Sequence, residues 1–390
     1  MVVIRHSVSS IKLTTHTQGE NNLKKLAQIC AIGLGAAMLF AGCGAPPPTV
    51  VADGPATEVP IAPETTEHFL PCVISDSGGF DDHSFNQSAL EGTQDAAADL
   101  GLGNAFPRIQ STAGDVLTDN LGNLVAQNCT LITAAGFNLA APAVEVARNN
   151  ADVHFLLIDD SGEIDGQAPP ANLKPVEFDT AQAAFLAGYV AAAFSSREGG
   201  ASHVGTFGGA QIPPVTIFMD GFEQGVNFYN EQNGTHVQVT GMNSFTGGFE
   251  ANATAQTMAQ GIIDQGVDVI LPVGGPIYQS AQAAIATAGR PIAIIGVDTD
   301  LFYSDPATQD IVLTSIMKNI RGVTRDTVIA SAEGRWDNTP LIGTLANGYV
   351  GLAPFHNFED QISPEVREKV AQLEADIAAG RVHVESTFNQ

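Results

Sequence analysis

The stretch Cys72–Gly92, CVISDSGGFDDHSFNQSALEG, decides how the rest of this chain is read. Cys72–Ser75 is apolar and β-rich, which reads as a strand. A glycine-bearing acidic loop follows, and then a helix whose first turn carries Ser84, Phe85, Asn86 and Gln87. A helix start leaves backbone N–H groups unpaired, and Asp81 and Asp82 are placed to cap them. A loop at the carboxyl end of a strand in an open α/β sheet is the usual ligand position. A ring and an amide facing outward there suit a flat small molecule with polar edges.

Working outward, short β-rich runs alternate with helical stretches, the pattern of parallel sheets with covering helices. Strands are predicted at 72–75, 130–134, 153–158, 203–207, 267–272 and 292–297, and helices at 85–100, 140–149, 180–194, 215–229, 251–265 and 277–288. Gly101, Gly266 and Gly289 stand where helix C-caps belong. The order falls into two similar α/β halves that change over near Lys174–Thr180, before the helix AQAAFLAGYVAAAF. No sequence repeat relates them. The C-terminal ISPEVREKVAQLEADIAAGRVHV reads as an amphipathic helix packed on the second half.

The 390 residues allow two ordinary domains, and 44% hydrophobic content makes the folded part globular. A formal charge of −26 excludes a nucleic-acid partner, which requires a basic surface. The first 42 residues read as a signal peptide: Lys24 and Lys25 precede an apolar run, Leu26–Phe40, shorter than the ~20 residues of a membrane span. The run closes on LFAGC, which resembles a bacterial lipobox with Cys43 as the lipidated residue. Residues 43–68, rich in Pro, Ala and Thr, read as a tether that reaches on the order of 70 Å at ~3.1 Å per residue. Cys72 and Cys129 each open an apolar run, read as neighbouring parallel strands entered from the same end. That arrangement permits a disulfide outside the cytoplasm, with two separately buried thiols as the alternative. Histidine and cysteine spacing supports no metal site, and no cofactor is expected.

The string DSGGFDDHSFNQSALEG at Asp76–Gly92 resembles the signature of the basic membrane protein family, lipoprotein nucleoside receptors of ABC importers. Further similarity lies in VGTFGGAQIPPVTIFMDGFEQGVNFY, LPVGGPIY, IIGVDTD and LTSIMKNI, and runs over about 69–384. The resemblance implies an α/β fold of two Rossmann-like lobes, type I periplasmic-binding-protein-like, with three interlobe crossovers and the ligand cleft between the lobes. Residues 69–176 with 306–337 would form the first lobe and 177–305 with 338–390 the second. It also implies roles for the site. Asp76, Phe85 and Asn86 would hold the base, with Phe218 as the opposing aromatic wall and Phe222 competing for that place on the same helix face. Asp159 would stand at the cleft, with Asp160 as competitor. Gly274 and Gly275 would approach a hydroxyl, while Asp298 and Lys318 would serve the ribose.

The expected protein is therefore a monomeric, lipid-anchored, extracytoplasmic receptor that closes on a purine nucleoside and delivers it to a membrane permease and its ATPase. A sugar or riboflavin-like ligand, or a sensing role without transport, is the alternative. GGFDD places carboxylates where a dinucleotide-binding loop would hold pyrophosphate, which disfavours nucleotides. No GxSxG or paired catalytic carboxylates appear, so an enzyme is not expected.

Overall fold

The computed structural model of the protein describes residues 68–112 and 114–388. The expected signal peptide, Cys43 and the tether as far as residue 67 lie outside the described residues. The first strand, β1 (Pro71–Ser75), is buried along its whole length. Such a run, without alternation, fits a central parallel strand covered on both faces. It lies between β2 (Arg108–Gln110) and β3 (Leu131–Ala135), and the parallel sheet continues through β4 (His154–Ile158), β5 (Leu173–Phe178) and β11 (Leu341–Gly343).

The second sheet repeats the plan. β6 (His203–Gly208) lies between β7 (Gln238–Thr240) and β8 (Val269–Val273), followed by β9 (Ala293–Asp298), β10 (Val312–Lys318) and the antiparallel edge strand β12 (Val350–Leu352). In each sheet the chain leaves the first strand to one side and returns on the other. The strand order therefore reverses between β1 and β3 and between β6 and β8, the two places where open α/β sheets offer a crevice.

The expected membership of 306–337 in the first lobe is displaced. Strand β10 has ladder partners on both sides in the second sheet, β9 and β12, and so cannot leave it. The chain crosses only after Lys318. Helix α9 (Ile320–Ala332) then packs on α1 (Phe85–Asp99), where Arg321 pairs with Glu91 and Asp95. Strand β11 joins the first sheet beside β5, and the return follows before β12. The first crossing likewise follows Phe178 rather than residue 176, since β5 keeps its pairing to that point.

Around the first lobe, α2 (Leu117–Ala126) and α3 (Ala140–Asn149) supply the remaining cover; the second lobe has α4 (Ala181–Ser195), α5 (Pro213–Asn233), α6 (Ala253–Ile263), α7 (Ile277–Thr287), the short α8 (Leu301–Ser304) and α10 (Pro364–Ala378). Helix α4 is buried on nearly every side, which explains its lack of polar face. It meets α5 at backbone distance: a Cβ on Gly188 would lie 2.0 Å from the carbonyl oxygen of Phe222. Helix α10 places Val370, Leu373 and Ile377 in the same core.

Cys72 and Cys129 are joined by a disulfide at the start of β1 and just before β3, closing a loop with a sequence separation of 57. Such a cross-link acts mainly on the unfolded chain and contributes about 2–4 kcal/mol. Replacing both cysteines by serine is expected to lower the unfolding free energy by that amount, read as a lower urea midpoint, while ligand affinity stays unchanged; equal midpoints for the two proteins would refute the contribution.

Candidate functional site

Every strand that approaches the cleft does so with its carboxyl end, so the residues just beyond the strands meet there. Asp76 follows β1, Gly136 and Phe137 follow β3, and Asp159 follows β4. Opposite them, Gly274 and Gly275 follow β8, and Asp298 and Lys318 end β9 and β10. All nine residues expected at the ligand, namely Asp76, Phe85, Asn86, Asp159, Phe218, Gly274, Gly275, Asp298 and Lys318, line one cavity between the lobes. Its empty space is about 530 Å³ counting the open mouth.

The SFNQ turn is held by one carboxylate. Asp82 accepts hydrogen bonds from the backbone N–H of Ser84 (2.9 Å), Asn86 (2.8 Å) and Gln87 (3.0 Å), taking up the free donors of α1. Asp81 is exposed and takes no part. With the turn anchored from below, Phe85 turns its half-buried ring to the cavity. Asn86 is buried; its Nδ2 donates to the Ser77 carbonyl at 3.3 Å, and its Oδ1 has no partner within the protein. A buried acceptor left unmatched costs about 1–3 kcal/mol, which a donor on a ligand would recover.

Asp76 is 7% exposed and accepts a hydrogen bond from Asn138 Nδ2 at 3.2 Å. Burial pushes its carboxyl up to about 7, against the opposing pull of Asn138. Gly136, at φ +124°, makes room for it: a Cβ there would sit 2.2 Å from the Asp76 Oδ2 atom. At neutral pH the group therefore divides between an acceptor and a donor form, suited to a heterocycle edge that presents both.

Lys318 is the one cation among the described residues lining the cavity. Its Nζ donates to Asp159 Oδ2 at 2.7 Å and stands 3.8 Å from Asp298 Oδ1, with a side chain only 2% exposed. Three rings surround it, Phe218 at 5.0 Å, Phe85 at 5.4 Å and Phe178 at 5.5 Å from ring centroid to Nζ. Asp159 and Asp298 share an unusual backbone, with φ of +70° and +69°. Left-handed conformation in non-glycine residues costs on the order of 1–3 kcal/mol and gathers at functional sites. Here it turns one carboxylate from each lobe toward the same amine. Burial raises the Asp298 carboxyl to about 6, with Lys318 and the Ser84 hydroxyl pulling it back.

The competing assignments separate by geometry. Phe218 is on the cavity wall, whereas Phe222 is fully buried against α4 and absent from the lining. Asp159 faces the cavity; Asp160 accepts from the Gly162 N–H at 2.7 Å, closing its own loop. Sequence reasoning missed Ser84 as an interlobe contact: its Oγ, contributed by the first lobe, is 2.7 Å from Asp298 Oδ2 and 3.1 Å from the Val297 carbonyl. It also missed Phe137 and Phe249 on the lining. Phe249 sits in TGGFEAN, where no periodicity marks it and only the flanking glycines hint at close packing.

Comparison with known proteins accords with this geometry. The Bmp family, described as ABC transporter substrate-binding protein PnrA-like, matches residues 70–386. The chain is 26% identical over 378 residues to the ABC transporter nucleoside-binding protein BmpA of Lactococcus lactis, covering 93% of this chain and 99% of that protein. It is 28% identical to basic membrane protein D of Borreliella burgdorferi, over 70% of this chain and 74% of the relative. Among solved structures, the solute-binding protein of an ABC transporter system from Aeropyrum pernix superposes with a TM-score of 0.73 at 23% identity, covering 83% of this chain and 94% of that one. One from Conexibacter woesei gives 0.61 at 21% identity, with 81% and 99% covered. Both carry the periplasmic-binding architecture of paired α/β lobes. On the match over 70–386, the chain belongs to the Bmp family of PnrA-like ABC transporter substrate-binding proteins.

Proposed function

We propose that this substrate-binding protein is a lipid-anchored, extracytoplasmic receptor for a purine nucleoside. The observation that carries the reading is the pair of rings, Phe85 from one lobe and Phe218 from the other, facing the same cavity around the Lys318 amine. A planar heterocycle fits between two such rings, and stacking of this kind tolerates any base. Asp76 and Asn86 lie beside Phe85, where a partly protonated carboxyl and an unmatched amide oxygen meet the polar edge of a base. Asp298, Lys318 and the Gly274–Gly275 turn then serve the ribose hydroxyls.

Four carboxyl groups, Asp76, Asp82, Asp159 and Asp298, line the cavity with one amine among the described residues, and two of them, Asp159 and Asp298, stand beside that amine. A phosphate would meet net negative charge there, so nucleosides are favoured over nucleotides. Lobe closure on the ligand is the ordinary hinge motion of such receptors. The name of the Lactococcus relative, a nucleoside-binding protein, supports the same ligand class. Docking of the closed form to a permease with its ATPase, anchoring through Cys43 and a monomeric state complete the proposal.

Titration calorimetry with guanosine, inosine, adenosine, cytidine, ribose and riboflavin tests it. Purine nucleosides should bind well below the millimolar range, and Phe85→Ala and Phe218→Ala should each weaken them roughly ten- to hundred-fold, as expected for ~1–3 kcal/mol of stacking. Binding of free ribose that survives both replacements but not Asp298→Ala would favour a sugar receptor instead.

A further inference from the structure

Helix α10 ends at Ala378, and the segment Val382–Phe388 beyond it, VHVESTF, alternates apolar or small residues with polar ones in the manner of a strand. The fold keeps that alternation: Val384 and Ser386 are buried and Val382 and Phe388 half-buried, while His383, Glu385 and Thr387 are exposed. Yet the segment joins neither sheet. A side chain holds its backbone instead. Gln224 of α5 donates through Nε2 to the Glu385 carbonyl at 2.9 Å and accepts from the Glu385 N–H at 2.8 Å, the two bonds that a neighbouring strand would supply. One residue further, the Ser386 hydroxyl hydrogen-bonds the buried Asp179 carboxylate. Asp179 is the first residue past β5, and its N–H donates to the carbonyl of Gly343, the last residue of β11, at 2.8 Å. The segment thus reaches the point where two of the interlobe crossings are tied together. Thr387 and Phe388 then enter a crevice of about 570 Å³ that has Asp160 and Glu177 of the first lobe on one side and Pro213 and Ile217 of the second on the other. Phe137, Asp159 and Pro214 line both this crevice and the ligand cavity, so the two spaces adjoin.

We propose that Val382–Phe388 is a strap that biases the lobes toward closure: anchored on the second lobe through Gln224, it crosses the hinge at Asp179 and seats Phe388 between the lobes. A crevice with one wall in each lobe widens when the lobes part. Phe388 then loses the first-lobe side of its seat and meets water, a cost that favours the closed arrangement. The anchor is essential to this action. Without the Gln224 bonds the segment would follow the first lobe as it moved, and the bias would vanish. Because the strap touches the hinge rather than the ligand, it shifts the closed-to-open ratio of the ligand-free protein. It therefore stands independently of the nucleoside reading.

Spin-label distances in the full-length protein, held in detergent without any ligand, decide the matter. Nitroxides are attached at Val116→Cys on the first lobe, a position 59% exposed, and at Glu250→Cys on the second, which is exposed and lines the groove at the cleft mouth. This doubly labelled parent should show a closed population. Phe388→Ala and Gln224→Ala, neither of which touches the ligand cavity, should each lower its closed-to-open ratio about ten-fold, as expected when the burial of a half-buried ring no longer favours closure. Phe388→Leu keeps an apolar side chain in the seat and should restore most of the ratio. A tail that merely packs on the second lobe would leave the ratio unmoved by any of these changes. Equal ratios in the parent, Phe388→Ala and Gln224→Ala proteins, or a parent with no closed population, overturn the strap. Failure of every nucleoside to bind would defeat the ligand assignment and leave these distances unaffected.

Discussion

Lys318→Met is expected to destabilise the folded protein by about 3–5 kcal/mol at pH 8 and to abolish ligand binding. The amine is almost wholly buried and stands 2.7 Å from Asp159 and 3.8 Å from Asp298, one carboxylate from each lobe. Removing it leaves two desolvated anions facing each other across the hinge with nothing to offset them. Attraction lost is the smaller part of the cost; the uncompensated burial of charge is the larger. The pH response separates this mechanism from simple loss of packing. As pH falls toward 5 the two carboxyls take up protons and the deficit should shrink. The triple variant with Asp159→Asn and Asp298→Asn should recover most of the stability at pH 8, as read from urea midpoints. A deficit that stays constant from pH 5 to 8 would assign the effect to packing of the lysine stem among its three rings.

The unmodified protein should itself lose stability as pH rises from about 4 to about 7, and Asp76 should carry a large share of that loss. Burial lifts its carboxyl from 3.8 to about 7. The folded state then binds a proton that the unfolded chain has released, so stability is greatest below the unfolded pKa and declines as pH passes through the folded one. A shift of this size is on the order of 4 kcal/mol, at about 1.4 kcal/mol for each pH unit. Asp298, raised to about 6, adds in the same direction over a narrower window. The acidic surface also repels itself more strongly as pH rises, so the informative quantity is a difference. Asp76→Asn, neutral at every pH, should be more stable than the parent at pH 7.5 and lose that advantage by pH 4.5. Parallel stability profiles for the two proteins across this range would show that Asp76 titrates as an ordinary carboxyl.

The two results bear on function through the same feature. The site holds its carboxylates at strand ends, buried and partly neutralised; on the proposed function, a ligand's hydrogen-bond donors would replace their lost water there. Asp82 is the exception that orders the rest: three backbone amides engage it fully, so it fixes the turn that aims Phe85 and Asn86 instead of meeting the ligand.

Much of this was legible in the chain before any coordinates. Strands such as Cys72–Ser75 and helices such as Ala140–Asn149 announce themselves because a buried parallel strand shows as a continuous apolar run and an amphipathic helix as a 3.6-residue period, both set by local chemistry. The acidic loop, SFNQ and the glycine turn after β8 were equally readable, since ligand contacts at strand ends depend on residue type at short range. The three-residue strands β2, β7, β11 and β12 were not. They owe their conformation to the ladder beside them and carry almost no pattern of their own.

What tertiary structure alone decided is which of two adjacent candidates faces the cleft and where the chain changes lobe. Phe218 and Phe222 lie on one helix face, and only the close approach of α4 to α5 consigns Phe222 to the core. Asp159 was chosen over Asp160 by a left-handed turn at the end of β4, and the second crossing was set at Lys318 because β10 pairs on both edges. Phe249 was invisible until Gly209 and Gly274, far apart in sequence, were seen to form its slot. Each of these depends on a neighbour distant along the chain, and the packing energy of such neighbours is a property of the assembled lobes that no local stretch encodes.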